Sequence, residues 1–275
     1  MNCRKAIILT AGFGTRRLPI TKAVEKCMLP IGNRPLVDYV VDDCIKAGIE
    51  EIIFVVGEQS DQIRSYYGRN ALLEHYLASK HKDAQLAEVQ AIAQKARFHF
   101  VVQDREQPYG TAVPVALCRE FVKHGEQVVV IGGDDFIYNA DGSSEIARLI
   151  DAVEQAGATA GLLAATVPQE QVSRYGVIEM DDHQAFRRIV EQPAVDDAPS
   201  NLINISKYIF DVGLMEAVEQ VMHQPPAANG EYQVIEALNI YVRQGNKIVV
   251  TPAQGEYLDG GSVEGWLHAN QRVLG

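Results

Sequence analysis

The chain has 275 residues, 47% of them hydrophobic, and a formal net charge of -11. That length accommodates one large α/β domain or two small ones with a sizeable core. The acidic balance argues against a nucleic-acid binder, which spreads basic charge over a face, and no apolar run approaches the roughly 20 residues that span a bilayer.

"KAIILTA" is a short apolar run ending at a glycine and reads as a buried strand; it is too short for the core of a signal sequence. From Pro35 to Gly48, Leu36, Val37, Val40, Val41, Cys44 and Ile45 recur at helical spacing between a proline and a glycine. "EEIIFVVG" is the next strand, followed by a polar helical region over 61–95 that breaks near Gly68. "FHFVVQ" is a third strand, "GTAVPVALCREFV" a helix with Pro114 in its first turn, "QVVVIGGDDF" a fourth strand and "SSEIARLIDAVEQAG" a helix. This alternation predicts a mostly parallel sheet covered on both faces.

After residue 158 the rhythm changes. "TAGLLAATV", "YGVIEMDD", "QAFRRIVEQP" and "NLINISKYIFD" read as strands with short links, hence an antiparallel or mixed extension. "EYQVIEALNIYVRQG" reads as a helix closed by Gly245, "KIVVTPA" as a late strand and "VEGWLHANQRVLG" as a terminal helix. With no repeat or flexible linker, the expectation is one domain over 1–275, with a first half at 1–157 and a second at 158–275. Cys3, Cys27, Cys44 and Cys118 show no CxxC spacing, which points to reduced thiols and a cytoplasmic location. Cys27 has no nominated base and reads as packing.

The stretch "LTAGFGTRRLPITKAVEKCMLP" is where the charge is unusual. Residues 1–37 carry Arg4, Lys5, Arg16, Arg17, Lys22, Lys26 and Arg34 against the single acid Glu25. Local positive charge on a glycine loop after a strand suits a small anion. Glycines let backbone N–H groups approach phosphate oxygens, and arginine and lysine neutralise them. The dinucleotide pattern GxGxxG fails, because Arg17 stands at the third glycine, and no Walker A GKS or GKT occurs. Lys22, Arg17 and Arg34 read as ordinary surface charge.

The string G-x-G-T-R followed by K-x-M-L-P resembles the sugar-nucleotide pyrophosphorylases, nucleotidyltransferases that join an NTP to a sugar 1-phosphate. The similarity extends through "TKAVEKCMLPIGNRPLVDYVVDDCIKAGIEEIIFVV", "SRYGVIEMDD", "IVEQPAVDDAPSNLINISKYIFD" and "LDGGSVEGWLHA", nearly the whole chain. It is greatest toward the bacterial branch that uses UTP and glucose 1-phosphate. The resemblance implies an α/β, Rossmann-like nucleotidyltransferase fold with a mixed-strand sugar-binding extension. It also implies Mg²⁺ as cofactor, UTP and a sugar 1-phosphate as partners, and a homodimer or homotetramer. The implied reaction is attack of the sugar phosphate on the α-phosphorus of UTP, giving UDP-glucose and pyrophosphate. Such chemistry asks the protein to align two anions and cancel charge, and needs no nucleophilic side chain.

Carried over residue by residue, the resemblance turns Ala11, Gly12 and Gly14 toward the nucleotide through their backbone. It assigns Thr15 and Arg16 to the β and γ phosphates and Lys26 to the reacting centre. Asp134 and Asp259 become the metal ligands. Asp134 follows "VVVIGG" at the carboxyl end of a strand, where open α/β sheets bind ligands, and Asp259 is glycine-flanked in "YLDGG". Asp135 competes on sequence alone, and the resemblance selects Asp134. Gln103 and Gly110 correspond to a uracil-reading segment, and Gly176, Glu191 and Asn201 to a sugar site. One departure stands out: Gln192 follows Glu191 where the family has lysine. A neutral donor in place of a charged one costs about 1–3 kcal/mol. Lys207 or Arg174 could substitute, the sugar could differ, or the chain could be a weakly active nucleotide-binding regulator. A thymidylyltransferase is the rival within the family.

Overall fold

A computed structural model describes all of residues 1–275 except Arg105, His183, Gln184 and Ala228. The first residue of the strand expected at 184–193 and the arginine of the uracil-reading segment therefore lie outside the described residues. In chain order, strand β1 (Cys3–Leu9) leads through a loop to the two-residue strands β2 (Pro30–Ile31) and β3 (Arg34–Pro35), then helix α1 (Leu36–Lys46). Next come β4 (Glu51–Gly57), helices α2 (Gln62–Tyr67), α3 (Ala71–Ser79) and α4 (Asp83–Gln94), β5 (Arg97–Gln103), α5 (Ala112–Ala116), β6 (Gln127–Gly132), β7 (Asp135–Tyr138) and α6 (Glu145–Gln155). The second part contains β8 (Ala160–Thr166), β9 (Gly176–Met180), β10 (Phe186–Glu191), β11 (Leu202–Phe210), α7 (Val212–Met222), α8 (Val234–Arg243), β12 (Ile248–Pro252), β13 (Glu256–Asp259) and α9 (Val263–Leu274).

Strands β5, β4, β1 and β6 lie side by side and parallel. Strand β11 then adds antiparallel to β6 and branches, pairing with both β8 and β9. The mixed extension is thus part of the same sheet. Its branch coincides with a register shift between Asn204 and Tyr208, where Ser206 takes a positive φ of 51°. Alternate residues of β1 divide the core. Ile7 packs with Val55, Val130, Leu162 and Phe210 under α7 and α8, while Ile8 packs with Phe54, Ile131 and the α1 residues Val37 and Val41.

Helix punctuation follows the sequence where side chains cap. Ser144 accepts from Ala147 N at the start of α6, and Ser262 from Gly265 N at the start of α9. Three expectations change. The strand expected at 127–136 ends at Gly132, and Asp135 begins β7 in a separate two-stranded ladder with β13. The reason is contact: a Cβ on Gly133 would lie 2.7 Å from Thr10 Cγ2, and Gly133 N donates to Leu9 O. The helix expected at 110–122 is only α5, followed by a 3₁₀ turn at Arg119–Phe121. Helix α7 is an addition, capped by Asp211, which accepts from Leu214 N. All four cysteines are buried and free, Cys27 among them. Among the described residues, no helix is long and apolar enough to cross a membrane.

Candidate active site

The site is assembled at the carboxyl ends of β1, β4, β5 and β6. Thr10 donates through both N and Oγ1 to Val55 O, which pins the end of β1 to β4. The chain then turns at Gly14, which adopts the left-handed conformation (φ 64°, ψ 38°) and precedes a 3₁₀ turn at Thr15–Arg17. The turn folds the loop back on Lys26. A Cβ on Gly12 would sit 3.4 Å from Lys26 Nζ, and one on Gly14 3.0 Å from Lys26 Cβ. Ala11 O in turn lies beside Gly57, whose strand partner is Gln103. Ala11, Gly12, Gly14, Lys26 and Gln103 are therefore brought to one end of the sheet.

Lys26 Nζ donates to Asp134 Oδ2 at 2.6 Å, with each side chain about a fifth exposed. Burial alone would raise the Asp134 carboxyl. Lys26, with Lys207 and Arg16, outweighs it and holds Asp134 below the ordinary carboxylate value. The same pairing raises the Lys26 ammonium against its own desolvation. Asp135 turns the other way. Its carboxylate accepts from Lys207 Nζ, which is 1% exposed, and from the Tyr257 hydroxyl at 3.0 Å. Burial pushes Asp135 up despite the lysine. Lys207 is thus engaged in the interior, which removes one of the two cations considered as a substitute beside Gln192.

Asp259 reaches this place from the far end of the chain. The β13–β7 ladder sets it opposite Asp135, and Gly260 N donates to Asp134 O at 3.1 Å. Gly261 N holds Asp259 Oδ1 at 2.7 Å. A Cβ on Gly261 would lie 2.8 Å from that oxygen and 3.3 Å from the Arg16 guanidinium, so Arg16 and Asp259 flank one glycine. Two carboxylates on neighbouring backbone, one already holding an ammonium and one glycine-flanked, suit a hard divalent cation that takes its other ligands from phosphate and water. Among the described residues, no group of three or more His, Cys, Asp or Glu side chains could hold a metal.

Beside Asp259 opens a cleft of about 810 Å³ whose walls include Arg16, Arg174, Tyr175 and Ser262. Arg17 is not surface charge. It is 5% exposed, donates to Ser262 O and lies over the Trp266 ring at 5.4 Å, tying the glycine loop to α9. Arg34 likewise pairs with Asp38 and Asp42 and lies over Tyr39. Lys22 is exposed as expected.

Gly110 has φ 129°, and a Cβ there would come 2.2 Å from Tyr232 O. Tyr232 bridges Tyr109 O and Ala112 N, which fastens this segment to the start of α8. At the other edge, Gly176 pairs with Glu191 across β9 and β10, and a Cβ on Gly176 would lie 2.7 Å from Glu191 Oε1. Desolvation raises the Glu191 carboxyl. Gln192 takes a φ of 44°, is exposed, and its N donates to Tyr175 O at 3.0 Å. Asn201 stands apart from this pair: neighbouring Ser200 donates to Ile178 O, and Asn201 O accepts from Val167 N. Tyr257 was missed in the sequence. Strand alternation from Asp259 was the signal that could have found it.

A nucleotidyl transferase family model matches residues 5–275. A UTP–glucose-1-phosphate uridylyltransferase of Mycoplasma pneumoniae is 35% identical over 97% of this chain and 91% of its own length. One of Pseudomonas aeruginosa is 30% identical, covering 97% and 94%. Among solved structures, a UTP-bound UGPase from Acinetobacter baumannii superposes with a TM-score of 0.89 at 29% identity, covering 99% of this chain and 93% of that one. A UDP-glucose pyrophosphorylase complexed with UDP-glucose gives 0.85 at 28%, covering 100% and 99%. A putative glucose-1-phosphate thymidylyltransferase from Bacillus anthracis shares the fold at 0.75 and 23% identity, covering 98% and 94%. With the glycine loop, the paired aspartates and the sheet that carries them, the chain belongs to the nucleotidyl transferase family.

Proposed function

We propose that the chain transfers the uridylyl group of UTP to glucose 1-phosphate. An oxygen of the sugar phosphate attacks the α-phosphorus, the bond to the β-phosphate oxygen breaks, and pyrophosphate leaves with the electron pair. The observation that carries this reading is the meeting of Lys26, Asp134 and Arg16 with Asp259 across the β7–β13 ladder. Relatives named for this reaction and structures named for UTP and UDP-glucose support it.

In this proposal the backbone at Ala11, Gly12 and Gly14 lies along the triphosphate, and Thr15 and Arg16 take the β and γ phosphates. Lys26 neutralises charge at the reacting phosphates. Gln103 matches an edge of uracil with its amide, and Gly110 brings backbone to the base. Glu191 accepts from sugar hydroxyls beside Gly176, with Gln192 and Asn201 at the margin. Asp134 and Asp259 would hold Mg²⁺, which when bound shields phosphate charge and draws electron density from phosphorus. The nucleotide half is 1–157 and the sugar-binding half 158–275. A cytoplasmic homodimer or homotetramer completes the proposal; the four buried free thiols support a reducing compartment.

A pyrophosphate-release assay with MgCl₂, over UTP, dTTP and other NTPs and several sugar 1-phosphates, tests it. Turnover is expected to be fastest with UTP and glucose 1-phosphate. Preference for dTTP, or UTP binding without turnover, overturns the assignment.

A further inference from the structure

We propose that the Arg174 guanidinium binds the phosphate of the sugar 1-phosphate, in the cleft it shares with Arg16 and Asp259. The assignment rests on the uridylyl-transfer reading and names a contact within it. Most cations near the two aspartates already have partners. Lys26 donates to Asp134, and Lys207 is buried against Asp135. Arg17 is spent on Ser262 O and Trp266, and His268 on Glu256 at 2.8 Å. Among the described residues, Arg16 and Arg174 make no hydrogen bond or ion pair, and both line the cleft that contains Asp259.

Glu256, Asp259 and Glu264 line the same cleft; Glu256 is paired with His268 and Arg272, which leaves the two unpaired guanidinium groups to meet an anion beside Asp259 and Glu264. Each guanidinium presents a planar fork matched to phosphate oxygens. Arg16 sits on the glycine loop and is committed to the leaving phosphates. Arg174 comes to the cleft from the second half of the chain. It ends the 3₁₀ turn Gln169–Arg174 and runs directly into Tyr175 and Gly176. Tyr175 O accepts from Gln192 N, and Gly176 faces Glu191, so Arg174 is joined by chain and hydrogen bond to the sugar edge. Burial raises the Tyr175 hydroxyl, Asp259 adds to that and Arg174 opposes it, so both charges act on one ring.

The test is Arg174→Gln, assayed with each substrate varied in turn. The KM for glucose 1-phosphate should rise about ten- to a hundredfold, with the KM for UTP changed by less than about twofold. The melting temperature should not move, since the side chain is exposed. Gln192→Lys should lower the KM for glucose 1-phosphate more in the Arg174→Gln variant than in the wild-type chain, a non-additivity that a purely structural role would not show. A raised KM for UTP with glucose 1-phosphate unaffected, or no change in either, overturns the assignment alone. A wild-type chain that turns over no UTP with any sugar 1-phosphate overturns the functional reading and this contact with it.

Discussion

At the carboxyl end of β6 and the start of β7, the floor of the candidate site, the acidic groups have opposite charges already in place: Lys26 on Asp134, and Lys207 with Tyr257 on Asp135. At the sheet edge formed by β9 and β10, the rim of the candidate site, Glu191 faces a glycine and Gln192 is neutral and exposed, while among the described residues the nearby Arg174 has no ion pair or hydrogen bond. The floor is over-determined, because each charge fixes its neighbour's position and protonation. The rim is built of shape and open hydrogen-bonding capacity. Substitutions at the floor should therefore strike turnover or folding, and substitutions at the rim should strike substrate affinity.

The largest expected effect is at Asp134. Asp134→Ala should cut kcat by a factor on the order of 10³, with an unchanged circular dichroism spectrum. Turnover near wild type would break the contrast outright. Next is Lys207→Met, which leaves Asp135 buried without its cation and should cost about 3 kcal/mol of stability, read by urea denaturation. Replacing both partners with apolar residues, Lys207→Met with Asp135→Leu, should recover most of that loss; a single variant as stable as wild type would remove the pair from the floor's support.

At the rim, Gly176→Ala drives a methyl into Glu191 and should raise the KM for glucose 1-phosphate about tenfold while sparing UTP. The smallest effect is on pH. In the proposed sugar site an ionised Glu191 accepts from hydroxyls more strongly than the neutral acid, and desolvation raises its carboxyl above the ordinary 4.5. As pH falls through the range just above that value, the wild-type KM for the sugar phosphate should climb more steeply than that of Glu191→Gln, which has no such group to titrate. Parallel profiles would put Glu191 outside the sugar site.

The parallel strands up to Gly132 were legible because β1, β4 and β6 are short apolar runs ending at or near glycine, whereas their order in the sheet is set by tertiary pairing. The glycine loop followed from its place at a strand end, and the choice of Asp134 over Asp135 followed from the resemblance. Helix α7 was overlooked although Asp211 caps it and Leu214, Met215, Val218 and Val221 recur at helical spacing. Arg17 and Lys207 were misjudged for a different reason. A cation's burial depends on what lies opposite in space, and their partners, Ser262 and Asp135, are remote in sequence. The β7–β13 ladder is equally non-local, and four-residue strands carry little pattern by themselves.

That ladder has a consequence for how the molecule comes into being. A polypeptide growing from its amino end holds Arg16, Lys26 and Asp134 before Asp259 is made, and Asp259 is set beside them when the β7–β13 ladder forms and Gly260 N donates to the Asp134 carbonyl. On the proposed reading, competence to turn over substrate waits for that segment, and a nick between residues 252 and 256 that releases the tail would erase it while leaving the parallel strands β5, β4, β1 and β6 in place.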